Sequence, residues 1–359
     1  MLALAATRHA HAQAVEDVGA RAAPQVHSYT IAAPSNTTVR EFSVPIFVVV
    51  PLAPALTVDL GTSYARSNVE QTTSGTTETS DIAGLTDTQV RATYVIGNDF
   101  VVLTAGVNLP TGQSRVTPQQ QVAAGLIGSD FLAFPISSMG TGLGGTGGVA
   151  VARSVGAWSI GGGVSIHRTA QYDPFDDDDG AALHYRPGNE YRARVGADRA
   201  IGAGRAKFGF TYSTFGNDDL AGSIYNTGNR YLTQFSFDDV AGPGRITVAA
   251  WNLFRGAGTM IDSVFIGREN IASAALSYGV AVGGTLVEPN IEGRAWSQSN
   301  APTSLLSTVG LRAQLSLVGM TMLPGVGLTF GRVASQEPGG ANGTARLSGW
   351  HATLAVRLR

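Results

Sequence analysis

Ser165 and His167 stand two residues apart, with Asp173 a little further on, the nearest approach in this sequence to a nucleophile, a base and an orienting carboxylate. Such a set would suit acyl hydrolysis. No spacing enforces it here, and serine and histidine are ordinary residues on any wet face. His184 and His351 stand in no metal-ligand spacing with His167. The stretch GTGLGGTGG from Gly140 contains GxGxxG, but a nucleotide loop needs a helix after it. A β-pattern follows instead, so the segment reads as a flexible return from a long loop. Asp173 and the run Asp176, Asp177, Asp178 and Asp179 are the one weak metal candidate, since hard cations prefer oxygen ligands. The EF-hand glycine and closing glutamate are missing, and a solvated acidic loop is the expectation. No enzyme activity, cofactor or resident metal is expected.

The charged residues that do recur keep a period of two. Asp87, Gln89 and Arg91 alternate with Val90, Ala92 and Tyr94. Glu190, Arg192 and Arg194 alternate with Tyr191, Ala193 and Val195, and Arg205 and Lys207 with Ala206, Phe208 and Phe210. Later, Glu288, Glu292 and Arg294 face away from Val287, Ile291 and Ala295, and Arg312 lies between Leu311 and Ala313. An alternation of this kind is an extended strand with two solvents, one on each side. Charges this frequent cannot face lipid, so they line a polar lumen or bridge across it.

Composition limits what the two solvents are. Of the 359 residues, 43% are apolar and 14% charged, with 46 glycines and no cysteine. A net charge of -2 without a basic stripe gives no case for nucleic acid. Disulfides and thiolate metal sites are excluded. Leu2 to Ala6 is a short apolar run, followed by small residues at Ala10, Ala12 and Ala14, so residues 1–14 read as the remnant of a signal peptide. An alanine-rich mobile terminus fits the same residues. No stretch reaches the ~18 uninterrupted apolar residues of a spanning helix, so a membrane reading requires a barrel.

Connection lengths favour that barrel. Short links at Pro51, Ile96, Ser154, Ile201, Ala241, Val282 and Met322 alternate with longer polar segments, among them SGTTETSDIAG, the stretch 110–145 and DPFDDDDGAALHYRPG. Short turns on one rim and long loops on the other describe an outer-membrane up-and-down antiparallel barrel. Fourteen strands are counted from Leu56 onward; VREFSVPIFVVV makes a fifteenth and QVHSYTIAA a sixteenth. The expectation is all-β, sixteen strands over a single domain at 15–359, with fourteen as the alternative. Trp158, Tyr172, Tyr191, Phe208, Phe210 and Tyr212 are expected near the interfacial zones or on the outward face.

Residues 110–145 are the least strand-like. Thr117 can cap a short helix with Pro118 in its first turn, placing Val122, Ala123 and Leu126 on one face, and Phe131, Leu132 and Phe134 follow. So much apolar surface in a polar rim requires burial. The loop either folds into the barrel mouth as a constriction or docking site, or caps the barrel for stability alone.

GVNLPTG at Gly106 to Gly112, with GLTDTQVR at Gly84 to Arg91, resembles the outer-membrane family associated with the meta-pathway of phenol degradation, itself similar to fatty acid and aromatic hydrocarbon channels. The resemblance implies passage of small hydrophobic or aromatic compounds. The terminal LAVRLR departs from the aromatic ending common in such barrels, although Trp350, Ala352, Leu354, Val356 and Leu358 keep the outward alternation. The sequence thus predicts a passive outer-membrane channel of a Gram-negative-type envelope, with outer-membrane lipid, lipopolysaccharide and a small-molecule solute as partners. A closed structural or surface-binding barrel is the alternative.

Overall fold

Extended chain dominates, as the period-two pattern requires. The computed structural model describes residues 18–32, 35–97, 100–175, 183–261, 263–336 and 342–358. The barrel strands are β1 (Gly19–Ala22 and Gln25–Ala32), β2 (Asn36–Ala53), β3 (Leu56–Thr73), β4 (Thr76–Leu85 and Thr88–Ile96), β5 (Val101–Leu109), β6 (Gly144–Val155), β7 (Trp158–Thr169) and β8 (Glu190–Ile201). They continue as β9 (Gly204–Phe215), β10 (Arg230–Ala241), β11 (Gly244–Arg255), β12 (Glu269–Val282), β13 (Thr285–Gln298), β14 (Ser304–Leu317), β15 (Met320–Gln336) and β16 (Asn342–Leu358).

Each strand pairs antiparallel with the next, and β1 pairs with both β2 and β16, so the sheet closes on itself as a sixteen-stranded barrel. Closure leaves no row of unpaired amides, which a hydrocarbon solvent would penalise by several kcal/mol per group. The first and last described strands meet on the short-turn rim, where Ala20 of β1 faces Leu358 of β16.

Two of the expected links lie elsewhere. The last short turn is Val318–Gly319, with Gly319 at φ 71, and Met322 to Gly325 run inside β15. The residues had suggested a turn because of Pro324 and Gly325, but outward Pro324 and inward Gly325 keep strand pairing with Leu354 and Thr353. Similarly, SGTTETSDIAG is mostly strand: after the Ser74–Gly75 turn, Thr76–Leu85 zips onto β3 and extends the barrel wall. Its threonines are polar but β-branched, and a pleated surface suits them.

Strand faces follow from register. Arg91 opposes Asp59, Glu190 opposes His167, and Lys207 opposes Asp198, all on the inner face. Val90, Val195, Phe208, Phe210, Tyr212 and Trp350 point outward. Near the short-turn rim the outward Trp158 ring carries the Arg199 guanidinium 5.3 Å from its centroid. Above the opposite end of the apolar band, outward Arg40 pairs with Glu70 and Arg66 with Asp81. Just inside that charged edge lie Phe42 and Tyr64, with ring centroids 6.5 Å apart. Tyr172 is the exception to the aromatic expectation, because its ring packs within the loops.

Beyond the barrel, strands Tyr185–Arg186, Asp218–Leu220, Ser223–Asn226, Gly258–Met260 and Ser263–Ile266 form a second small sheet out of three long loops. Rings hold it together: Tyr172 meets Tyr185 edge-on, Tyr185 stacks on Tyr225, and Tyr225 meets Phe265 edge-on.

Candidate functional site

The loop between β5 and β6 turns inward, and its apolar residues explain the direction. A 3-10 turn at Pro118–Gln120 leads into a short helix, α1 (Gln121–Ile127). At its start Gln120 Oε1 accepts the Thr117 amide at 3.2 Å. Ala123, Ile127, Phe131, Leu132, Phe134 and Met139 are all buried. They pack on Tyr29, Val39, Val69, Ile82, Ile271, Leu306, Val333 and Leu347, the inward apolar residues of the long-loop half of the barrel. Leu126 and Val116 join the edge of this cluster. Val122 does not: it is 47% exposed, because the helix turns Ala123 and Ile127 to the wall and leaves the preceding position facing away.

Polar contacts fix the loop at four places. Asp87 holds its base: one carboxylate oxygen accepts the Gly112 amide at 3.0 Å, the other the amides of Thr141 and Gly142 at 2.7 and 3.1 Å and the Asn108 side chain at 2.8 Å. The ends of the loop are thereby clasped by one side chain, a role that alternation alone had placed on a lumen wall. Gly112 is required there, since a Cβ would stand 2.0 Å from the Met139 carbonyl oxygen. Ser80 on β4 donates to the Gln119 carbonyl and accepts the Ala123 amide. Glu41 on β2, 1% exposed, accepts the Ile136 amide at 3.0 Å and the Ser67 hydroxyl at 3.3 Å. Arg294 on β13 donates to the Phe131 carbonyl at 2.8 Å. Pattern reading missed Glu41 and Ser80, which look like ordinary inward polar positions until the loop is placed.

The apolar cluster takes its wall residues from β11 to β16 and from β1 to β4. Among the described residues it takes none from β5 to β10, and that arc of wall is polar. A recess of about 370 Å³ lies between the arc and the loop base, lined by Gln89, Arg91, Asn108, Thr146, His167, Glu190 and Arg192 among others. Its charges are mostly paired. Arg91 binds Asp59 at 2.7 Å, Arg192 binds Glu190 at 2.6 Å, and Arg205 lies 3.5 Å from Asp198. Further round, Arg245 pairs with Asp238, Arg255 with Glu269 at 2.7 Å, Arg294 with Glu292 at 2.7 Å, and Arg312 with Glu288. Arg194 and Lys207 share this face without such a partner among the described residues.

The remaining candidates separate. His167 Nδ1 lies 2.8 Å from the Thr146 hydroxyl and Nε2 3.1 Å from that of Thr169, while Asp173 is 2.6 Å from His184. Ser165, His167 and Asp173 therefore assemble no relay. Gly140 and Gly142 belong to the loop base beneath Asp87, not to a phosphate cradle. Asp176 to Asp179 lie outside the described residues. In the small outer sheet, Asp218 is 4% exposed and accepts the Gly188 amide at 2.6 Å. Burial pushes its carboxyl above the usual range, against the Gly188 amide and Tyr185 hydroxyl, and burial likewise pushes Tyr172 up to about 12.

No family model and no curated protein matches the chain. Among solved structures, the chain is similar to OmpT of Vibrio cholerae, described as outer-membrane expressed, at 10% identity and TM-score 0.46, covering 95% of this chain and 97% of that one. It is also similar to OprB of Pseudomonas putida, at 8% identity and TM-score 0.49, covering 96% and 94%. An anion-selective porin from Comamonas acidovorans aligns at 12% identity and TM-score 0.44, covering 95% and 99%.

Proposed function

We propose that the protein is an outer-membrane channel through which small molecules diffuse passively, with the folded-in loop setting the size limit. One observation carries this reading: the loop buries its apolar side against one part of the wall and leaves β5 to β10 as a polar arc beside it. A plug built only for stability would be expected to cover the whole lumen. The lipid-facing apolar band, the aromatic residues at its edges and the closed edge-free sheet support a place in a bilayer. Outer-membrane lipid and lipopolysaccharide are then the surrounding partners. Small hydrophobic or aromatic compounds are the candidate solutes, on the strength of the two motifs.

The test is flux through refolded protein in liposomes, comparing a small sugar with a small aromatic acid, with and without residues Val116 to Met139. Flux of the aromatic acid in the intact protein supports the channel and its solute class. Equal flux of the sugar sinks the solute class, and no flux of either until the loop is removed sinks the channel. The alternative, a closed surface-binding barrel, is favoured by the outer sheet, where Ile261 is 71% and Val264 66% exposed.

A further inference from the structure

Carboxylates on the inner wall are nearly all engaged. Seven pair with arginine in the ion pairs above, and Glu41 and Asp87 are occupied by loop amides. Among inward strand positions that are described, Glu78 is the exception, and it stands at the end of the wall extension opposite Gln71. The cations exceed these partners. Arg194 and Lys207 sit on neighbouring strands, each exposed; Lys207 faces Asp198, but that carboxylate lies 3.5 Å from Arg205, so two cations share one acid. Arg194 opposes Gly163 on its other side, so no side chain there shields it.

The surplus continues along the passage. Arg230, at the long-loop end of β10, lies directly across from Arg255 and covers the Phe215 ring at 5.3 Å, a contact that leaves its charge in place. At the short-turn rim Arg21 and Arg357 are register partners, two like charges side by side on β1 and β16. Arg21 lies over the Phe47 ring at 4.6 Å. Positive charge without an ion-pair partner among the described residues thus stands at one end, the middle and the other end of the lumen. Low-dielectric walls focus the field of such charges and raise the local concentration of counter-ions.

We propose that the passage is anion-selective, with Arg194 and Lys207 as the selectivity-determining residues and small anions, including aromatic carboxylates, as the favoured solutes. The proposal rests on the channel reading and deepens it. An ion pair presents nearly equal and opposite charge to a passing solute, whereas an unpaired guanidinium or ammonium attracts anions and repels cations at every passage. Exchange of solute along the wall needs no covalent step.

Reversal potentials in planar bilayers under a potassium chloride gradient test this directly. The intact protein is expected to prefer chloride severalfold, and Arg194→Gln with Lys207→Gln to lose most of that preference while still conducting. Arg194→Glu with Lys207→Glu is expected to prefer potassium. The preference should also weaken with salt, as the screening length falls from about 10 Å at 0.1 M to about 3 Å at 1 M. Cation preference in the intact protein, or a double glutamine variant with unchanged selectivity, overturns the proposal and leaves the channel standing. A folded barrel, recognised by its shifted migration when unheated, that carries no current overturns the channel reading and this inference with it.

Discussion

The Arg294 guanidinium and the Phe131 carbonyl lie 2.8 Å apart, although 163 residues separate them in the chain. The same guanidinium reaches Glu292 at 2.7 Å and lies 5.8 Å from the centre of the Trp251 ring. One side chain therefore couples the tip of the loop to the far wall. Replacement by Leu removes the donor and leaves Glu292 with the Ser273 hydroxyl at 2.8 Å but without its counter-charge. A hydrogen bond to a charged group contributes about 1.5–3 kcal/mol. We expect Arg294→Leu to loosen the loop, giving larger and noisier single-channel currents and faster proteolysis between Pro118 and Met139. Currents and cleavage equal to those of the intact protein would show that Arg294 does not hold the loop.

At the base of the loop, Asp87→Ala removes one acceptor from three backbone amides and the Asn108 side chain. Each buried donor left unsatisfied costs roughly 1–3 kcal/mol, less where water reaches it. The temperature at which the folded band converts to the unfolded band on a gel should fall, and Gly112→Ala should act in the same direction because its Cβ has no room. If neither change lowers that temperature, the clasp has no weight in stability.

Val195 and Thr211 lie on adjacent strands but on opposite faces, Val195 pairing with Phe210 and Arg194 with Thr211. Arginine facing lipid near the bilayer midplane costs about 2–4 kcal/mol. We expect Val195→Arg to destabilise the refolded barrel by about that amount in denaturant titrations, and Thr211→Arg to be tolerated. Equal effects from the two would mean that these faces do not meet different solvents.

Asp218 makes the outer sheet sensitive to pH. Its carboxyl is raised by burial, so the folded sheet binds the proton more tightly than the unfolded loops do. The resulting stabilisation is fully present below the ordinary carboxylate value of about 3.9 and is lost as pH rises through the raised one. Near-ultraviolet dichroism of the Tyr172, Tyr185 and Tyr225 cluster should weaken over that rise. Asp218→Asn should hold the signal constant, and a pH response that survives this change would assign it to another group.

Much of this molecule is written in its alternation. Because a strand turns successive side chains to opposite sides, the placement of Arg192 inward and Tyr191 outward follows from sequence once the two solvents are identified. Strand number followed as well, including the first strand near Gln25, because each apolar-polar run has to be paired for the barrel to close. Turn chemistry was less decisive. Met322 to Gly325 resembles a turn by its proline and glycine, yet the ladder on either side keeps it extended. The helix in the loop was legible from Thr117 and Pro118, but its orientation was not, and Val122 ended on the exposed side.

Sequence by itself therefore determined the two-faced strands, their closure into one barrel and the apolar loop that had to be buried somewhere. Tertiary structure alone decided where. Glu41, Asp87 and Arg294 come from separate strands and meet the loop only because closure sets the register around the circumference. The same registration decides which arginines find carboxylates and leaves Arg194 and Lys207 without one. Pairing of charges depends on distances of a few ångströms between strands, and no period along the chain encodes those distances.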